Sequence, residues 1–291
     1  MVIEVGDNTI IWGSHKLDCI PEMLKEHFLQ NYHNSLFVIS THGVDVEYIN
    51  KFKNCGGNVI YYNLEHRYPI MDPSTGNPTM SMIKYEKEYF GIFDELWDFQ
   101  IENKQYYHIL GYDNKFKFIP LRYTTWFEHF ITNDPPKYML EFEATFHTKK
   151  RQDLIKIIST NPYVEWVGSY KIANHIDVNI KYHEKQDAKF NLDIPQLDFP
   201  ETINTFRIYE SICLNKQCIV YDEYKCGTRR YFDDLCIYLE NFTPEILWST
   251  TLQIPRTDVS IKFKEMTFED HCYKQYIYDI INDFDKKNHV K

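Results

Sequence analysis

The chain has 291 residues, 43% of them hydrophobic, and its 42 Asp and Glu outnumber 32 Lys and Arg for a formal charge of −10. That size suits one large globular domain or two of about 150 residues each, and the acidic total argues against duplex nucleic acid, held mainly through its phosphates, as principal partner. No apolar run nears the roughly 18–20 residues of a membrane span, the opening MVIEVGDNTIIWG lacks the basic start of a secretory leader, and the seven Cys form neither a C-x-x-C pair nor a zinc spacing. We therefore expect a soluble cytoplasmic protein with reduced thiols and no metal.

From the N-terminus, residues 9–12 (TIIW) predict a strand that ends at Gly13, Ser14 and His15. Residues 18–31 predict a helix, with Ile20, Met23, Leu24, Phe28 and Leu29 near helical spacing. Residues 35–40 (SLFVIS) form the unbroken apolar run of a strand covered on both faces. A helix over 44–54 stops at Gly56-Gly57, and 58–63 (NVIYYN) is the third strand, with Glu65, His66 and Arg67 in its exit loop. The Pro/Gly-rich stretch 71–79 reads as a long loop ahead of a helix over 82–90. Short strands at 93–99 and 116–121 flank a helical 101–110.

Asp134-Pro135-Pro136 opens a second unit. Its expected elements are a strand at 138–146, a helix at 149–159, strands at 164–168 and 177–181, a helix at 203–214 and a strand at 218–221; helices at 233–239 and 271–285 close the chain. Strand–helix alternation at this spacing argues parallel sheets covered on both faces. The expected architecture is α/β: two Rossmann-like domains facing a cleft, residues 1–133 and 134–270, with a C-terminal helix and tail over 271–291. Twenty-three Tyr, 20 Phe and 5 Trp, with much Asn, Lys and Ile, fit A/T-rich coding of the kind a virus or phage uses. The same flat rings suit a sugar or base site.

Ligands of open α/β sheets bind outside the C-terminal ends of strands. In the first half, His15, His42, Asp45, Glu65 and His66 all follow strands and could serve as a general base. In the second half the informative stretch is 204–221, NTFRIYESICLNKQCIVY, opening at Asn204. Arg207 and Glu210 share one helical face near the helix start. A helix N-terminus favours an anion, Arg207 can fork onto phosphate oxygens, and an ionised Glu210 can accept from a pair of ribose hydroxyls. An ordinary i,i+3 surface ion pair is the alternative reading. His183, at the end of an expected strand, would face the cleft and reach a diphosphate.

At these residues the chain resembles the GT-B glycosyltransferases. The run RIYESICLNKQCIV (207–220) is similar to their donor-site helix and following strand, and DVNIKYHE (177–184) to the strand ending that precedes it. Residues 138–168 resemble the opening of their C-terminal domain, which implies Lys149, Lys150 and Arg151 in a phosphate-facing turn. DELWDF, IENKQYY and KFIPLRY resemble the end of their N-terminal domain. The resemblance covers about residues 90–225 and implies transfer of a hexosyl or pentosyl group from a nucleoside-diphosphate sugar, with a UDP-linked donor expected. It further implies a hydroxyl acceptor, a glycan or a hydroxymethylated DNA base, no separate cofactor and no obligatory metal. Glu210 would hold the ribose. Two departures stand out. Asn215-Lys216-Gln217 replaces the usual Gly before the last strand, and no glutamate lies eight positions ahead of Glu210, Glu201 being nine ahead; the anomeric outcome stays open. A non-catalytic nucleotide- or sugar-binding protein of the same shape and a GT-B-shaped nucleotide-sugar epimerase are the competing readings.

Overall fold

The computed structural model describes every residue except 41–43, 66–79, 144–148, 170–177, 195–204, 224, 226, 271 and 273–291. The chain divides into Met1–Leu121 and Arg122–Lys291. This boundary falls ahead of Asp134 because the segment Thr125–Phe130 packs its rings into the second unit: Trp126 lies 5.7 Å from Tyr182, and Phe127 lies 5.7 Å from Tyr209. The loop expected at 71–79 lies outside the described residues, as does the helix expected at 271–285 apart from Cys272. Among the described residues no helix is long and apolar enough to cross a membrane.

The first unit runs β1 (Val2–Val5), β2 (Asn8–Trp12), α1 (Cys19–His27), β3 (Ser35–Ile39), α2 (Val46–Asn54), β4 (Asn58–Asn63), α3 (Met80–Gly91), β5 (Glu95–Asp98), α4 (Lys104–Leu110) and β6 (Phe116–Phe118). Its six strands lie side by side in chain order; β1 and β2 form an antiparallel hairpin and the rest are parallel. The unbroken apolar runs of β3 and β4 are the two central strands, and apart from Asn58 every residue of both is buried. Alternate residues serve opposite faces. Leu36, Val38, Val59, Tyr61 and Leu96 pack against α2, α3 and α4 through Ile49, Phe90 and Leu110. On the other face, Trp97 meets Phe37, Tyr62, Tyr32 and Phe28 at ring separations of 5.3–5.9 Å. Asp45 caps α2 by accepting from the Glu47 N–H at 2.9 Å.

The second unit contains β7 (Tyr138–Glu143), α5 (Lys149–Ser159), β8 (Trp166–Ser169), α6 (Val178–Asp187), β9 (Ala188–Asp193), α7 (Thr205–Cys213), β10 (Cys218–Tyr221), β11 (Cys236–Leu239), α8 (Pro244–Thr251) and α9 (Val259–Glu265). Its strands are parallel in the order β11-β10-β9-β7-β8. The chain starts in the middle at β7, moves one way to β8, then crosses back to β9, so strand order reverses between β7 and β9. Cys218 and Cys236, both buried thiols, stand opposite each other on β10 and β11. The turn after α7 needs no glycine: Asn215 takes φ +58, its N–H reaches the Ile212 carbonyl, and the Lys216 N–H reaches that of Ser211.

Two expectations for this unit are corrected, and one strand, β9, lies where none is expected. The strand expected at 177–181 is helix instead: 178–187 form α6, with Lys181 and Lys185 one turn apart on its inner side. The central strand β9 (AKFNLD) lacks an apolar run, yet five of its six residues are buried. Two of its polar groups find partners inside: Asn191 Nδ2 donates to Ser211 Oγ at 3.1 Å, and Lys189 Nζ donates to the Thr251 carbonyl at 2.8 Å. The helix expected at 233–239 gives way to the edge strand β11 over 236–239, which extends the sheet beyond β10.

Gly168, opposite Phe142 in the β7–β8 pair, has φ +123, and a Cβ there would run into the Phe142 carbonyl. Gly168→Ala is expected to lower unfolding stability by about 2–3 kcal/mol. A urea titration should show the midpoint fall at unchanged slope.

Candidate functional site

In an open parallel sheet the point where strand order reverses leaves a crevice at the C-terminal ends of the two central strands. In the second unit those ends are Glu143 on β7 and Asp193 on β9. The helices that follow, α5 and α7, start from the same edge and point their N-terminal N–H groups toward it. Each carries an arginine in its first turn, Arg151 and Arg207. Arg207 is half-buried and donates from Nη1 to the Glu143 carbonyl. Arg151 is 1% exposed. Burial, and then the charge of Arg207, push the Arg151 guanidinium down to about 10, while Asp193 and Glu143 pull the other way. The two guanidinia thus stand within electrostatic reach of each other, beside two helix N-termini. Two arginines beside two helix N-termini make this edge the candidate site for an anion with several oxygens, such as a diphosphate.

Glu210, expected on a ribose, is engaged inside the fold. It is 0% exposed, and its carboxylate accepts from Lys181 Nζ at 2.7 and 2.8 Å and from the Tyr182 hydroxyl at 2.9 Å. The i,i+3 spacing does put Arg207 and Glu210 near one helical face, but Arg207 reaches out toward β7 while Glu210 turns in toward α6. A second buried pair sits one turn along α6: Lys185 Nζ lies 3.3 Å from Glu141 Oε2 and donates to Ser211 Oγ at 3.4 Å. Burial opposes the Lys185 charge, but Glu141, Glu210 and Glu143 around it raise its pKa overall. His183 lies on the exposed side of α6, and Asn204 lies outside the described residues.

In the first unit, the C-terminal ends of β2, β3, β4 and β5 lie along one edge of the sheet. His15 follows β2 and is exposed; its Nδ1 lies 3.0 Å from Asp18 Oδ2. Asp18 is held in turn by Trp12, whose indole N–H donates to Oδ1 at 2.7 Å. A carboxylate on Nδ1 fixes the imidazole tautomer and leaves Nε2 to take a proton. Glu65 follows β4 and is also exposed. Its carbonyl accepts from Asn63 Nδ2 at 2.6 Å and Asn103 Nδ2 at 3.0 Å. Both amides also donate to Asp98, a 0%-exposed carboxylate that accepts as well from the Gln100 N–H. Ser40, at φ +38, completes the edge: its Oγ accepts from the Leu64 N–H at 2.5 Å. His42 lies outside the described residues. Among the described residues no three His, Cys, Asp or Glu side chains group as metal ligands.

Sequence reasoning passed over Asp18, Asp98, Asn103, Lys181 and Lys185. Asp98 left a signal, a carboxylate closing the apolar strand ELWD. The two lysines left one only if α6 is read as a helix.

No family model matches this chain, and no curated protein does. Solved structures do align with it. A mutant form of Staphylococcus aureus TarM, in complex with fondaparinux, alpha-GlcNAc-glycerol and UDP, aligns over 87% of this chain with 13% identity and a TM-score of 0.45. The chain spans 57% of the TarM chain, a little over half its length. T4 phage BGT in complex with UDP and Mn2+ aligns over 88% of this chain and 85% of its own, with 14% identity and a TM-score of 0.44. The glycotransferase of kitacinnamycin aligns over 89% and 78%, with 9% identity and a TM-score of 0.42.

The Lys181–Glu210 pair sets a clear expectation. Glu210→Leu, which takes from Lys181 its two short bonds and leaves it Glu143 at 3.7 Å, is expected to cost about 3 kcal/mol. Lys181→Met/Glu210→Leu removes both charges and should recover most of that loss in the same denaturant titration. A double variant no more stable than the single one would show that the pair is not what holds α6 on α7.

Proposed function

We propose that this protein is a glycosyltransferase of the GT-B type, moving a sugar from a nucleoside diphosphate to a hydroxyl acceptor. The observation that carries the reading is the arginine pair at the reversal of strand order in the second unit, where Arg151 and Arg207 stand beside the starts of α5 and α7. The leaving group in such a reaction is a nucleoside diphosphate, which gains negative charge as the bond from the anomeric carbon to phosphate oxygen breaks. Half-buried Arg207 and the N–H groups of the α7 first turn are placed to neutralise that charge. Arg151, being buried, contributes its field from beneath.

On the acceptor side His15 is the preferred base. Its Nε2 takes the acceptor's hydroxyl proton as the oxygen attacks the anomeric carbon, and Asp18 stabilises the imidazolium that results. Glu65, whose backbone is fixed by Asn63 and Asn103, is the second candidate. The acceptor is a glycan or a hydroxymethylated base in DNA, and the six free cysteines among the described residues fit a cytoplasmic setting.

A thermal-shift series with UDP, GDP, ADP, CMP and dTDP tests the donor site. One nucleotide at about 100 times its dissociation constant should add roughly 2.7 kcal/mol of stability, and Arg207→Ala should remove the shift. No shift with any of the five counts against the reading. With the donor known, His15→Ala is expected to lower the transfer rate by about 10²- to 10⁴-fold and leave nucleotide binding intact. Binding without turnover would point to a non-catalytic nucleotide sensor, and release of free sugar and nucleotide with no acceptor present would point to an epimerase.

A further inference from the structure

Asp18 stands where an aspartate usually caps a helix, directly ahead of α1, yet its side chain makes no cap bond. Two local features account for that. The short turn of helix over His15–Leu17 runs straight into α1, which leaves the Asp18 backbone helical (φ −61, ψ −22) and not in the extended form of a capping residue. The third residue of α1 is Pro21, which has no N–H for a cap to reach. The carboxylate is spent elsewhere, one oxygen to each partner: Oδ1 accepts from the Trp12 indole N–H at 2.7 Å, and Oδ2 faces His15 Nδ1 at 3.0 Å. The two partners are unequally fixed. Trp12 ends β2, where its backbone is paired with Ile39 of β3 and its side chain is half-buried. The His15 side chain is 78% exposed and that of Asp18 30%.

We propose that Trp12 is a positioning residue for His15. By tying Oδ1 of Asp18 to the end of β2, the indole turns Oδ2 toward His15 Nδ1. That keeps the proton of the neutral imidazole on Nδ1 and the Nε2 lone pair open to an acceptor hydroxyl. This role rests on the reading of His15 as the base. A lone contact between an exposed imidazole and a carboxylate near the surface holds neither side chain for long, because water competes and both lose rotamer freedom. Anchored at its other oxygen, the carboxylate keeps one orientation, and that ordering is complete before an acceptor arrives. A neutral imidazole without such a partner favours the proton on Nε2, the atom a base must keep free.

NMR of the full chain reads the tautomer of neutral His15 from its imidazole nitrogen shifts, with His15→Ala to assign them. The unaltered protein should carry the proton on Nδ1, and Asp18→Ala should move it to Nε2. Trp12→Phe keeps Asp18 and an aromatic ring but removes the donor, and should bring the tautomer most of the way to that of Asp18→Ala. Should Trp12→Phe fail to fold, a tryptophan analogue with sulfur in place of the indole N–H keeps the shape and removes only the donor. A tautomer unmoved by loss of the donor, or a proton already on Nε2 in the unaltered protein, overturns the proposal. A tryptophan that serves only as packing predicts that result, with a lower denaturation midpoint as its one effect. In a transfer assay Trp12→Phe is expected to lower kcat about tenfold and leave the donor KM unchanged; an unchanged kcat beside a shifted tautomer overturns the role as well. The two readings fail separately. An undiminished rate in His15→Ala removes the base and the use of this positioning with it, whereas a slow His15→Ala beside an unmoved tautomer in Trp12→Phe removes the role of Trp12 alone.

Discussion

The second unit depends on burying charge in matched pairs. A carboxylate taken wholly out of water is costly unless a cation and further donors replace the water it loses. Glu210 meets that condition with Lys181 and Tyr182, and Glu141 meets it with Lys185. Both lysines come from α6, so α6 must lie against α7 and β7 in one register, with its residues one turn apart matched to carboxylates on two different elements. The position of α7 follows from this, and with it the position of Arg207 at the edge of the sheet. The same edge in the first unit is organised differently. There a buried carboxylate, Asp98, is bonded by the side-chain amides of Asn63 and Asn103 and by a backbone N–H. Those amides reach on to the Glu65 carbonyl, so the fixed object is the start of a loop and not the start of a helix.

What could be read from the sequence followed the hydrophobic pattern. The strands SLFVI and NVIYYN and the helix at 149–159 stand out because burial there uses apolar side chains. The pattern failed where burial uses polar ones. In β9, Lys189, Asn191 and Asp193 make a central strand look like surface, because their partners Thr251 and Ser211 are distant in sequence. In α6, the apolar alternation of DVNIK suggests a strand, whereas the inward-facing residues are Lys181, Tyr182, Lys185 and Gln186. Missing α6 carried a further cost: with Lys181 placed on a strand, nothing signalled that Glu210 already had a partner.

Candidate site residues fared according to the same rule. Arg207 and Arg151 lie where the start of a helix after a strand would put them. His15 follows its strand as expected, but its orientation comes from Asp18 and Trp12, which no periodicity marks. Asn215 makes the turn after α7 without a glycine. An asparagine tolerates positive φ, and its amide also donates to the Thr257 carbonyl and accepts from the Ser260 N–H.

The facing thiols of β10 and β11 have a use outside the chemistry of the site. Burial pushes both Cys218 and Cys236 well above the usual thiol range, so in the closed sheet neither presents a thiolate to an alkylating reagent. Cys19 is shut away in the same manner in the first unit, while Cys55 is exposed. Among the described residues the chain therefore carries its own reporters of opening, Cys19 in the first unit and Cys213, Cys218 and Cys236 in the second, with an open thiol as the reference for reagent activity. The rates at which Cys19 and the Cys218/Cys236 pair become modified state whether the two units open together or one ahead of the other.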